Sequence, residues 1–343
     1  MITIDGSRGE GGGQILRTTL SLAMCLQQPV QINNIRAGRK RPGLMRQHLA
    51  ALRASAQVSN AAVTGDSIGS TCITFAPEKI TGGRFRVPIG SAGSTTLALQ
   101  TILPALLQAE VASEVELEGG THNGLAPSFD FLSLSFAPLL RRMGVKVELD
   151  LHLHGFYPNG GGRFTARVEP VIAWQPLRLR SAPTVTSPEV HITYANLTRS
   201  IAEREARYLM RKGQADAQNV HLHDVDAHGS GNVVSVRHTN DGYTNVFDAY
   251  GTRGVKAERV AGLALRDYRQ FVADSVAVDA HLADQLLLPM ALGAGGVFVT
   301  GELTEHTRTN IAVISELTGQ HIEVASLARV QQQITVPGRY SAR

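Results

Sequence analysis

Cysteine is nearly absent: Cys25 and Cys72 are the only two, each in an apolar stretch. Two cysteines make neither a disulfide framework nor a cysteine-rich zinc site, and the expected setting is the reduced cytoplasm. Aromatic residues are scarce at 5%, with Trp174 the single tryptophan, so there is no platform for a long single-stranded nucleic acid. Long apolar runs are missing as well. The richest, LLLPMALGAGGVFV at 286–299, is broken by Pro289 and several glycines. No run reaches the roughly 18–20 residues of a membrane helix. The opening residues MITIDGSRGE lack a basic segment followed by an apolar one, so no secretory leader is expected. Lysine is rare, at 5 against 28 arginines. No Gly-Lys pair occurs, which excludes a Walker A loop, and no Lys-x-Asp-Gly occurs, which excludes lysine-linked nucleotidyl transfer.

What is present is ordinary globular material. The chain has 343 residues, 43% hydrophobic and 18% charged, enough for a substantial core and about two domains. Arginine's planar fork suits phosphate. A GC-rich genome also favours arginine, so the excess alone assigns no partner.

Three stretches share one order of elements. In the first, the strand ITI and the loop GSRGEGGG lead to a helix over 14–26, and the strand VQINNI follows. The loop RAGRKRPG and a helix over 44–57 come next, then strands near 60–64 and 71–76. In the second, the strand FRVPI, a loop GSAGS and a helix over 95–107 precede the strand SEVELEG. The loop GTHNGLAP, a helix over 128–143 and strands near 145–152 and 163–169 complete it. The third opens with PLRLRS at 176–181 and resumes near Ala280. It continues with a helix to Leu292, the strand GVFVTG, the loop ELTEH, a helix over 308–317 and two strands near 321–325 and 330–336. The reading is an α/β (α+β) protein: three βαβαββ units in a large domain, 1–181 and 276–343, around an inserted α/β domain, 182–275. The insert has a strand EVHITYA, a charged helix, three strands and a helix over 256–272.

The loop after the middle strand of each unit carries unusual residues. Unit one has Arg36, Arg39, Lys40 and Arg41 shaped by Gly43 and Pro42, followed by Arg46 and Gln47. A solvated basic surface is one reading; a phosphate cradle ahead of a helix N-terminus is the other. Unit two has Thr121, His122 and Asn123; unit three has Glu305 to Asn310. Pseudosymmetry would bring these loops to one cleft. In GEGGGQ, Glu10 is unfavourable beside phosphate unless it meets a metal or a cation. HLH occurs at 152–154 and 221–223; strand alternation puts each pair on one face, but no further clustered ligand is visible.

The segments DGSRGEGGGQILR, IRAGRKRPGLMRQH, IGSAGSTTLALQTILPALL, GGTHNGLAPSFDF, HGFYPNGGG, HLADQLLLPMALGAGG and EHTRTNIAVI occur in that order. Together they make a chain that resembles the RNA 3′-terminal phosphate cyclases over essentially its whole length. The resemblance implies three units like the C-terminal domain of translation initiation factor 3 plus an insert, an architecture also similar to enolpyruvyl transferases. It implies a three-step reaction. A histidine attacks the α-phosphorus of ATP and releases pyrophosphate. AMP then passes to a terminal RNA 3′-phosphate, and the 2′-hydroxyl closes a 2′,3′-cyclic phosphate and releases AMP. Histidine suits this, being largely an unprotonated nucleophile at neutral pH.

The resemblance carries His306 over as the adenylylated residue, from its match to His-x-x-x-Asn-Ile. It assigns Glu10, Gln100, Pro127, Phe131, Asp284 and Gln285 to the nucleotide and Arg17, Arg36, Arg39 and Gln47 to phosphate or RNA. It makes Glu10 and Asp284 candidate contacts for Mg²⁺ or Mn²⁺. The implied partners are ATP and RNA with a 3′-terminal phosphate, with no membrane, and a homodimer through an exposed sheet edge is left open. One departure is His281, which stands where bacterial members have tyrosine. Two rivals are a non-catalytic relative acting in ribosome assembly, which lacks the histidine, and an enolpyruvyl transferase on a similar fold.

Overall fold

Strand, glycine loop and helix recur in a fixed order along the chain. In this computed structural model, residues 1–340 are described apart from 183, 185, 186, 214, 241 and 329. The first unit comprises β1 (Ile2–Asp5), α1 (Gly13–Leu26), β2 (Val30–Asn33), α2 (Arg46–Ser59), β3 (Ala62–Thr64) and β4 (Ile73–Ala76). The second comprises β5 (Gly83–Pro88), α3 (Thr95–Leu106), β6 (Ser113–Gly119), α4 (129–142), β7 (Val147–Leu153) and β8 (Gly162–Val168). Next comes β9 (Leu177–Leu179). The insert contributes β10 (Glu189–Ala195), α5 (Arg199–Gly213), β11 (Val220–Asp224), β12 (Gly231–Asn240), β13 (Tyr243–Tyr250) and α6 (Ala257–Asp274). The third unit then resumes with α7 (Ala280–Leu292), β14 (Gly295–Thr300), α8 (Glu305–Thr318), β15 (Glu323–Ser326) and β16 (Gln332–Pro337).

Three sheets have the same strand order: β1-β2-β4-β3, β5-β6-β8-β7 and β9-β14-β16-β15. In each, the first two strands are parallel and the remaining pairings antiparallel. The insert's sheet runs β11-β10-β12-β13. One apolar core joins the helices of all three units, and a second lies between the insert's sheet and its helices α5 and α6. The apolar run of α1 explains its place, since most of its residues, Gln14 and Thr19 included, are buried at the centre.

Two helices depart from the expected form. α4 is interrupted by a π turn, Leu132–Phe136, where a continuous helix is predicted. The turn accommodates a hydrogen bond from the Ser135 hydroxyl to the Thr244 carbonyl of the insert. α8 begins at Glu305 rather than near 308, because the Thr304 side chain caps it by accepting the Thr307 N–H at 3.1 Å. His306 therefore lies in the first turn of a helix and not in a loop.

Candidate active site

The glycine loop after β1 places Glu10 beside the start of α1. Its carboxylate accepts the Gln14 N–H at 3.2 Å and pairs with Arg39 of the basic loop. The Glu10 N–H donates to the Thr309 hydroxyl on α8 at 3.3 Å, which ties unit one to unit three. At the second residue of α1, the Gln14 amide donates to Asp284 on α7 at 3.2 Å. Further along, Thr18 donates to Asn310 at 2.6 Å, and the Asn310 amide donates to the Asp284 carbonyl at 3.0 Å. Asn310, four residues after His306, thus clamps α8 between α1 and α7.

These contacts surround a cavity of about 350 Å³, within the usual range for a small-molecule site. Its wall includes Gln14, Arg17, Asp284, Gln285 and the exposed His306. Pro127 and Phe131 face the cavity from unit two, and His281 lies on the rim at the start of α7. Gln100 lines a smaller adjoining hollow that shares Gln14, Arg17, Asp284 and Gln285, and its buried amide has no hydrogen-bond partner. An orphaned amide beside a cavity is a group waiting for a ligand or water.

Charge is concentrated here. Burial lowers the Arg17 guanidinium to about 10, against the raising effect of Glu10 and Asp284, and it remains a cation at neutral pH. Burial also pushes the Asp284 carboxyl up, opposed by the Gln285 hydrogen bond and by the charges of His306, His281 and Arg17. His48 packs beside Gly13; burial and the arginines Arg17, Arg36 and Arg39 drive it down to about 3, so it is neutral.

The basic loop divides its arginines. Arg39 reaches Glu10, whereas Arg36 donates to the Arg41 and Gly43 carbonyls of its own loop, both at 2.8 Å. Arg36 thus staples the loop, and its contact with phosphate would come from the N–H groups left over. Gln47 accepts the Ser94 N–H at 3.1 Å and so touches the glycine loop of unit two.

Val246, Asp248 and Tyr250, all on β13 of the insert, also line the large cavity. Sequence reasoning missed them. The available signal was the alternation in TNVFDAY, which sets these three on one face while Phe247 and Ala249 enter the insert's core. The HLH pairs behave differently from each other. His221 and His223 share a face and meet His191 on β10, with 3.0 Å between His191 Nδ1 and His223 Nε2. His152 bonds Thr165, whereas His154 stacks on His122, because β7 and β8 slip register at this point. Among the described residues no group of three or more His, Cys, Asp or Glu side chains is placed to hold a metal ion. No helix among them is long and apolar enough to cross a membrane.

Comparison with known proteins places nearly the whole chain in one family. A family model described as RNA 3′-terminal phosphate cyclase matches residues 8–324. A protein of Koribacter versatilis named RNA 3′-terminal phosphate cyclase is 47% identical over 315 residues, covering 92% of this chain and 89% of that protein. Its namesake from Ectopseudomonas mendocina is 45% identical and covers 92% of both chains. That from Pseudomonas fluorescens is 43% identical over 335 residues, 97% of each. The chain is a member of the RNA 3′-terminal phosphate cyclase family.

Proposed function

We propose that the protein uses ATP to convert an RNA 3′-terminal phosphate into a 2′,3′-cyclic phosphate through a histidyl-AMP intermediate on His306. The observation that carries this reading is one cavity that brings His306 together with Gln14, Arg17, Asp284 and Gln285 and with Pro127 and Phe131. In step one a ring nitrogen of His306 bonds the α-phosphorus and the bond to pyrophosphate breaks. In step two an oxygen of the RNA 3′-phosphate takes the AMP and frees the histidine. In step three the 2′-hydroxyl attacks the activated phosphorus, loses its proton and expels AMP.

The residues divide the work by position. Pro127 and Phe131 offer an apolar wall for the base, and the Gln100 amide supplies an unused donor and acceptor. Arg17, fixed by the Gln14 side chain at 3.3 Å, meets phosphate charge in a buried setting where its charge counts most. Arg39 and Gln47 lie on the unit-one side, where the RNA phosphate would arrive. Asp284 and His306 line the same cavity, which suits Asp284 to orient the ring.

A divalent ion, Mg²⁺ or Mn²⁺, would be held by Asp284 on the cavity wall; Glu10, the other candidate, is already paired with Arg39 and lies outside the cavity lining. Asp284 is a buried carboxyl whose charge is disfavoured, a condition that a cation relieves. A single carboxylate completed by substrate phosphate oxygens and water is a common Mg²⁺ arrangement and needs no all-protein cage. Bound there, the ion would offset triphosphate charge.

The test uses α-labelled ATP and a divalent metal without RNA. Wild-type protein should take up acid-labile, alkali-stable AMP, His306→Ala should take up none, and RNA 3′-phosphate should discharge the label. A folded wild type that takes up no label would overturn the covalent mechanism and favour a non-catalytic assembly role.

A further inference from the structure

A second groove, of about 340 Å³, lies between α2 and β5. Its floor is apolar, from Leu49 and Ala50 on the helix and Val87 on the strand. Ile68 stands at its lip with 57% of its surface exposed, which extends the apolar floor toward solvent. Arg46 closes one end and Arg53 sits two turns further along the same helix, roughly 10 Å away. Nothing in the proposed reaction uses this groove.

Its position relates it to the site. Arg46 and Gln47 are neighbours at the start of α2, and both hold the glycine loop of unit two. Arg46 donates to the Gly90 carbonyl at 2.9 Å, and Gln47 accepts from Ser94. The next residue, His48, packs against Gly13 and the Arg17 side of the cavity. The groove therefore begins where the basic loop ends. Its charge is uneven. Among the described residues no carboxylate pairs with Arg46. Arg53 faces only the exposed Asp66, at 3.5 Å. On the far wall Arg86 is neutralised by Glu116 and Glu118, at 3.4 and 3.3 Å. Arg53, which also holds the Asp66 carbonyl at 3.2 Å, is thus paired as Arg86 is, and among the described groove residues the cation without a carboxylate partner is Arg46, at the end next to the basic loop.

We propose that this groove seats the RNA nucleotides immediately 5′ of the terminal phosphate, with Arg46 on the backbone and a base on the apolar floor beside Ile68. Single-stranded RNA is recognised through splayed bases stacked on aromatic rings or guanidinium planes and through phosphates held by cations; here, with no aromatic side chain in the lining, the guanidinium planes and the aliphatic floor take that part. A purely apolar ligand would leave the charge of Arg46 without a counter-charge. A small free anion would not use the floor. The inference rests on the functional reading above for its direction, with the 3′ end at Gln47.

Two exposed positions outside the nucleotide cavity test it: Arg53→Glu and Ile68→Glu. Each should raise KM about tenfold for a 3′-phosphorylated RNA of ten nucleotides. Each should leave KM for a nucleoside 3′,5′-bisphosphate and the RNA-independent uptake of AMP unchanged. The fluorescein-labelled decamer should bind the variants more weakly, with a shallower salt dependence for Arg53→Glu. Equal KM for the decamer in variant and wild type, or the same rise for the bisphosphate, overturns the groove. If wild type takes up no AMP, the functional reading fails instead, and the binding measurement without ATP still decides the groove.

Discussion

Gln100 shows how one side chain separates binding from folding. Its amide is buried and unpartnered, so the fold gains little from its polarity. Gln100→Leu should keep or raise stability by about 1 kcal/mol, since it removes an unsatisfied buried polar group of similar volume. The same change should raise KM for ATP severalfold in the adenylylation assay. A loss of thermal stability without a change in KM would make Gln100 structural. Residues of this kind are legible in sequence only through resemblance. TTLALQ reads as an ordinary apolar helix, and nothing in its period says that the glutamine faces a hollow. His306 and Asp284 were legible in the same way. Val246, Asp248 and Tyr250 were not, because the insert's strands carry no motif that singles out one face as the wall of another element's cavity.

At the scale of elements, strand and helix order was legible because glycine and proline punctuate it and apolar periods fill it. The ends were less so. A threonine cap outweighed the expected loop at α8, and a hydrogen bond to the insert drew a π turn into α4. The seam between α5 and β12 shows a different limit. The helix SIAEREARYLMRKG reads as charged and solvated, yet Glu205 is buried and accepts from the Asn232 amide at 2.9 Å. Burial raises its carboxyl to about 7 from an ordinary 4.5. The folded state therefore holds an extra proton between those values. Stability from this group is greatest below pH 4.5, falls as pH rises to 7 and stays lower above it. Glu205→Gln should flatten that slope and stabilise the protein at pH 8 by about 1–3 kcal/mol, read from urea melts across pH. A slope unchanged by the substitution would show that Glu205 is charged in the fold.

At the scale of the molecule, the insert is anchored by β13 along α4 and by several specific contacts. Phe156 packs with Ala195 and Val233, and the Tyr243 hydroxyl donates to the Ala277 carbonyl at 2.6 Å. Arg237 of β12 donates to Asp130 of α4 at 2.6 Å. Burial pushes the Asp130 carboxyl up, but His122, 3.9 Å away, and the Arg237 guanidinium bring it well below the usual range. Arg237→Ala strands that carboxylate and should cost about 3 kcal/mol in a denaturant melt. Because Asp130 lies between Pro127 and Phe131, the same variant should also raise KM for ATP, whereas a purely local effect would spare it. The third sheet has a consequence for how the chain is made. Leu177 of β9 pairs with Gly296 of β14, and the whole insert is translated between them. At roughly 5–20 residues per second, the ribosome holds β9 with an unpaired edge for on the order of ten seconds. The first two sheets are complete by then, so nascent-chain vulnerability to aggregation and to holdase chaperones falls in one window, between the emergence of β9 and that of β14.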